Sequence, residues 1–282
     1  MSDKQWVMVV DAAKCEACYN CFLAVKDEHI GNDFPGYCAP MPLHGQNWVE
    51  IRHKHRGTAP VVTAHSIPVM CNQCEDAPCL RAARDGAMYR RPDGIVMIDP
   101  VKAKGQRSLV KSCPYGHIHW NEELELPQKW NFDAHLLDQG WTRTRGEQVC
   151  GTGALTSMKV SAAELAALRS RDDLEVLEPQ FRTTPRIFYK NLHLMTKSFI
   201  AGTVVAVVNG VEDCAEGRVV VLSQDGQEVA RATTDAFGEF MVDGLAPNSG
   251  IYDIGLAEGA GALCRCELKD DSLYVGVLTA SA

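Results

Sequence analysis

The sequence has no apolar run approaching the roughly 18 residues that a membrane-spanning helix needs, which excludes a helical membrane protein. It has no excess of positive charge either: 28 Lys and Arg stand against 36 Asp and Glu, a net charge of −8. That balance excludes a general nucleic-acid binder, whose affinity rests on neutralising phosphates. The first residues, MSDKQWVMVVD, lack a charged segment followed by an apolar stretch and a cleavage site, so no export signal is expected and the cytoplasm is the expected location. Disorder is excluded as well, because 46% apolar and 23% charged residues is ordinary globular composition. Cysteine, by contrast, is abundant. There are twelve, nine of them at positions 15, 18, 21, 38, 71, 74, 79, 113 and 150.

The chain divides by texture. Residues 1 to about 150 are rich in Cys, His, Pro and Gly and poor in long periodic stretches, as expected where metal sites fix the loops. Ser161 and Glu164 form a capping box ahead of Leu165 and Leu168, which predicts one short helix ending in the charged stretch Arg169 to Asp173. From about residue 198 the pattern turns to alternating β-branched and small residues. Strands are predicted over 199–208, 218–222, 228–233, 239–242, 251–256, 264–268 and 273–278, with Asp225-Gly226 and Asp243-Gly244 as turns. Seven short strands in under 90 residues suggest an antiparallel β-sandwich of immunoglobulin-like or transthyretin-like type. The expected domains are 1–195 and 196–282. Cys214, Cys264 and Cys266 in the second read as buried structural thiols, and so does Cys38 in the first.

Clustered thiols in a chain long enough to bury a core point to metal rather than to disulfides. Cys15, Cys18 and Cys21 form C-x2-C-x2-C, the first three positions of the bacterial ferredoxin run. Cys71, Cys74 and Cys79 form C-x2-C-x4-C with Pro78 before the last thiol, and Cys113-Pro114 has the form of a remote ligand. Zinc competes for such thiols, but structural zinc commonly takes two pairs, while triplets with singletons suit iron-sulfur clusters.

These motifs, with CEACYNCFLAVKDEH at 15–29, CPYGHIHWN at 113–121, Ala134 to Asp138, and Thr184-Pro185-Arg186 with Tyr189-Lys190-Asn191, resemble the ferredoxin-like electron-transfer subunits of molybdopterin enzymes of the DMSO reductase superfamily. Within that family the resemblance is to iron-sulfur small subunits of the pyrogallol-phloroglucinol transhydroxylase and resorcinol hydroxylase type, and it spans essentially the whole chain. It implies an α+β fold: a duplicated ferredoxin-like domain followed by the β-sandwich. It also implies that Cys15, Cys18 and Cys21 share a 4Fe-4S cluster with Cys150, whose Cys150-Gly151-Thr152-Gly153 resembles the family's closing element with Gly151 in place of Pro. Cys71, Cys74 and Cys79 share a second with Cys113.

Two further clusters of the full family pattern have no ligands here. The slots of one fall at Val25, Trp130, Asp133 and Gly146, and those of the other at Ala83, Ala103, Gln106 and Leu109. The losses are all-or-none, as physics favours: a half-ligated site would leave reactive thiols, and a vacated cavity is better filled by side chains. Two clusters is one fewer than the resemblance implies for the transhydroxylase type.

The implied partner is a large catalytic subunit carrying molybdenum and molybdopterin guanine dinucleotide, with no catalytic residue, nucleic acid or membrane involved on this chain. A hydroxyl transfer between phenols has no net redox change and tolerates an interrupted electron wire. The expected function is therefore a non-catalytic iron-sulfur subunit for chemistry on polyhydroxylated benzenes. The alternatives are an electron-transfer subunit of another DMSO reductase superfamily oxidoreductase and a zinc-stabilised interaction module. His117 and His119 read as surface or interface groups that could instead tune a cluster. Asp27-Glu28-His29 reads as a solvated or partner-facing loop, and Arg52, Lys54 and Arg56 as a solvated strand face or partner-facing loop.

Overall fold

The structure, a computed structural model, describes residues 4–208, 210–259 and 261–280, so the first three residues of the N-terminal stretch lie outside it. It divides into two compact units, residues 1–53 with 66–192, and 54–65 with 193–282. The second unit thus takes in a stretch that the sequence reading leaves in the first domain. Among the described residues no helix is long and apolar enough to cross a membrane.

In the first unit the strands are β1 (Gln5–Asp11), β2 (Val49–Thr58), β3 (Val61–Met70), β4 (Met88–Arg90), β5 (Val96–Ile98), β6 (His119–Asn121), β7 (Leu126–Gln128), β8 (Leu155–Val160) and β9 (Ile187–Lys190), the tip of the β2–β3 hairpin counting with the second unit. The helices are α1 (Asn20–His29), α2 (Pro78–Ala82), α3 (Ala134–Asp138), α4 (Arg145–Gln148) and α5 (Ala162–Asp172). One sheet has the order β8-β1-β9, with β1 antiparallel to β8 and parallel to β9. The rest is hairpins and short helices. α5 starts on the expected capping box, Ser161 Oγ accepting from Glu164 N and Glu164 accepting from Ser161 N at 2.7 Å. Its Leu165 and Leu168 pack on Val7, Leu174 and Phe188.

The second unit opens with α6 (His193–Thr196) and continues through β10 (Ser198–Val208), β11 (Val211–Cys214), β12 (Val219–Gln224), β13 (Gln227–Thr233), β14 (Glu239–Leu245), β15 (Gly250–Leu256), β16 (Ala262–Leu268) and β17 (Leu273–Ala280). Two four-stranded sheets form: β11, β14 and β17 on β10, and β13-β12-β15-β16. Ile200, Val204, Phe240 and Val242 from the first share one apolar core with Val220, Leu222, Tyr252 and Ile254 from the second.

Asp225 and Gly226, both at positive φ, join β12 to β13 as the two-residue turn expected. Three expectations fail here. Asp243-Gly244 is no turn: it lies inside β14, where the β10–β14 register slips, and Gly244 at φ +82° marks a bulge. β17 pairs with β10 in parallel, so the sheets are not wholly antiparallel. It arrives from the other sheet, and only a hairpin forces antiparallel pairing. Cys214 is exposed rather than buried, in the short β11, whose four exposed residues carry no apolar alternation to announce a strand.

Candidate iron-sulfur sites

Cys15 and Cys18 lie on an irregular stretch leading into α1, in which Ala17 and Tyr19 take left-handed conformations at φ 54° and 61°, and Cys21 sits in the first turn of α1. These two bends let thiols three residues apart face one space. Cys150, at the far end of the domain sequence, lines the same cavity together with Ile51, Pro68 and Leu155. Burial pushes the Cys21 thiol up to about 12 and also raises Cys15, against backbone N–H donation from Phe22 and Ala17 respectively. At Cys150 burial is outweighed by N–H donors from Leu155, Ala154 and Thr152 and by the Thr152 hydroxyl, so that thiol is lowered.

The second group gathers around α2. Cys71 directly follows β3, Cys79 sits in α2 behind Pro78 at its first position, and Cys113 follows the short helix 107–112. The four thiols are close enough for each to act electrostatically on its neighbours. Burial pushes Cys74 up to about 12 and Cys79 to about 11, and it raises Cys113 despite N–H donation from His117, Tyr115 and Gly116. The Thr183 side chain bonds to Cys74 and is itself 2.7 Å from the Tyr115 hydroxyl.

Among the described residues no three Cys, His, Asp or Glu side chains converge on the position of a single metal ion. The donor chemistry nevertheless fits a 4Fe-4S cluster, which takes four Cys thiolates and is tuned by N–H donors to sulfur. Crowded, buried thiols resist ionisation until a metal cation compensates their charge.

The positions without thiols are filled. Val25, Trp130 and Asp133 are each at most 1% exposed. Asp133 Oδ1 accepts from Trp130 Nε1 at 2.9 Å and lies 3.4 Å from His29 Nε2, while Oδ2 accepts from Arg145 N at 2.8 Å. Burial works against that carboxylate, but His29 and these donors hold it below the usual range. At Gly146 a Cβ would stand 3.4 Å from Cys21 Cβ. In the other set Ala103 and Leu109 are buried in the apolar cluster around Cys79, with Ala83 packed against it. The Gln106 amide is fully engaged, accepting from Arg84 N and donating to the Arg84 and Lys102 carbonyls at 3.0–3.2 Å.

Several polar residues are placed differently from the sequence reading. Asp27, Glu28 and His29 belong to α1 rather than to a loop, and His29 is wholly buried, with Cys38 Sγ 3.6 Å from its Nδ1. His117 is buried too and is no surface group, while His119 is half-buried. Arg56 is 1% exposed and binds Asp243 through both carboxylate oxygens at 2.7 and 2.9 Å, with Phe199 under its guanidinium. Cys38 is buried as a structural thiol should be, and Cys264 and Cys266 are half-buried against the second core. Gln73, Thr152 and Thr183, which lie beside or bond to the thiol groups, escaped sequence reasoning. Only the adjacency of Gln73 and Thr152 to motif cysteines was there to signal them.

Residues 62–160 match the 4Fe-4S dicluster domain family. The chain is 40% identical to the pyrogallol hydroxytransferase small subunit of Pelobacter acidigallici, over 98% of this chain and 99% of that one. It is 32% identical to the arsenate respiratory reductase iron-sulfur subunit of Shewanella sp. strain ANA-3, over 47% and 52%. To the thiosulfate reductase electron transfer subunit of Salmonella typhi it is 28% identical, over 57% and 79%. With a ferredoxin-type 4Fe-4S domain and a match spanning both chains almost end to end, this protein is an iron-sulfur subunit and a member of the family of the pyrogallol hydroxytransferase small subunit.

Proposed function

We propose that the chain holds two 4Fe-4S clusters, one on Cys15, Cys18, Cys21 and Cys150 and one on Cys71, Cys74, Cys79 and Cys113. It serves a large partner that carries molybdenum and molybdopterin guanine dinucleotide and acts on polyhydroxylated benzenes of the pyrogallol or resorcinol class. The observation that carries this reading is that Cys150, remote in sequence, lines the cavity of Cys15, Cys18 and Cys21. Support comes from the filled interiors at the eight positions without thiols. The hydroxyl-transfer chemistry rests on the named relative.

A cluster held on either set of four thiols would supply one-electron transfer. The protein's part is to hold the thiols, direct N–H groups at their sulfurs and keep water from Cys21, Cys71 and Cys79, which are buried. The second unit, two sheets over one core, is proposed as an immunoglobulin-like or transthyretin-like sandwich with an accessory role.

Metal content of the complex purified without oxygen tests the reading. About eight irons per chain, four for each cubane, are expected, with molybdenum in a co-purifying large chain and turnover of pyrogallol or resorcinol. Cys150→Ala and Cys15→Ala should abolish one and the same electron paramagnetic resonance signal, and Cys113→Ala the other. Zinc with little iron would remove the redox reading altogether.

A further inference from the structure

Lys129 is a buried cation that the sites described above do not use. It is 3% exposed, and its ammonium donates to the Val96 carbonyl at 2.5 Å and the Trp130 carbonyl at 3.0 Å. No carboxylate among the described residues pairs with it. Two carbonyl dipoles satisfy N–H donors but leave a full charge uncompensated, and a buried charge is costly unless an anion faces it. The chain therefore holds a cation whose counter-charge the described side chains do not supply.

The surroundings say where that counter-charge belongs. The Trp130 carbonyl also accepts from Gln73 Nε2 at 3.1 Å, and Val96 N donates to Gln73 Oε1 at 2.8 Å. Gln73 stands between Cys71 and Cys74, so the ammonium and the second cysteine motif both bond to the backbone of the same two residues, Val96 and Trp130. Val96 packs in one apolar cluster with Cys79, against which Cys74 and Cys113 also pack.

We propose that Lys129 is the counter-charge of the cluster on Cys71, Cys74, Cys79 and Cys113, and that its fixed ammonium raises that cluster's reduction potential. The inference rests on the two-cluster reading above. One-electron reduction adds negative charge to a centre already ringed by thiolates, and a cation fixed in low-dielectric surroundings favours the more negative state. Lys129 is thus a positioning residue for charge and touches no substrate.

The test is a titration of the oxygen-free complex with dithionite, each centre followed by electron paramagnetic resonance, with Cys113→Ser identifying the signal of the second thiol group. Lys129→Met should lower the reduction equilibrium constant of that centre about tenfold, ~59 mV for a one-electron couple. The other centre and an iron content of about eight per chain should stay unchanged, and Lys129→Arg should keep the potential close to that of the unmodified protein. An unmoved potential in Lys129→Met with full iron overturns the proposal. If Lys129→Met loses the centre, its retention in Lys129→Arg supports the need for charge, whereas loss in both variants overturns it in favour of a packing role. Unmodified complex with about four irons, all on the Cys15 group, would overturn the two-cluster reading first and the role of Lys129 with it.

Discussion

Asp133 occupies a position where the resemblance to the family expects a thiol, and its three donors show how a carboxylate is held inside a closed interior. A buried carboxylate needs several donors to stay ionised, and Trp130, Arg145 and His29 provide them from three different segments. Asp133→Ala strands those donors and is expected to cost about 3 kcal/mol, read from urea unfolding. The folded carboxyl titrates below its unfolded value near 3.9. Its contribution is therefore complete above about pH 4 and is lost as the pH falls through the folded value. Asp133→Asn should flatten that acid limb; an unchanged limb would show that other carboxylates control it. Cysteine spacing is a local property, so the thiol groups could be read from the sequence. Burial is not local, which is why His29 and Arg56 read as solvated groups in the sequence although distant segments close over them.

Among the elements, the β2–β3 hairpin makes a strict backbone demand. Gly57 sits at φ +81°, and a Cβ there would lie 2.5 Å from the Val61 carbonyl and 2.7 Å from Phe199 Cζ. Gly57→Ala combines a left-handed backbone with a collision and is expected to cost about 2 kcal/mol or more, measured as a lower urea midpoint with iron content unchanged. A Cβ accommodated without loss would mean the tip relaxes freely. The α5 capping box and the Asp225-Gly226 turn were legible because their signals lie within four residues. Asp243-Gly244 carries the same dipeptide signal yet makes a bulge, because β10 continues pairing on both sides of it and Arg56 holds the Asp243 carboxylate. Turn chemistry fixes the local φ; long-range pairing decides whether the chain reverses.

At the scale of the whole molecule the second unit is discontinuous in sequence, with residues 54–65 belonging to it alongside 193–282. A cut in the sequence at 195/196 misses this, since a texture change marks only one of the two crossings. A fragment of residues 193–282 lacks Arg56 and leaves Asp243 without its bidentate partner. It should unfold at lower urea than the same unit in the full chain, and Arg56→Met in the full chain should reproduce a loss of about 3 kcal/mol. Equal stability of fragment and full chain would show that the hairpin tip contributes nothing.

The discontinuity also orders events on the ribosome. As the polypeptide emerges from its N-terminus, the second thiol group is complete once Cys113 is out, while the first waits for Cys150, although its motif was made earlier. The hairpin tip waits longer still, until the strands that receive Arg56 have been translated. On the ligand sets proposed above, iron delivery to the nascent chain would begin at the site whose cysteines come second, and the β-unit would close last.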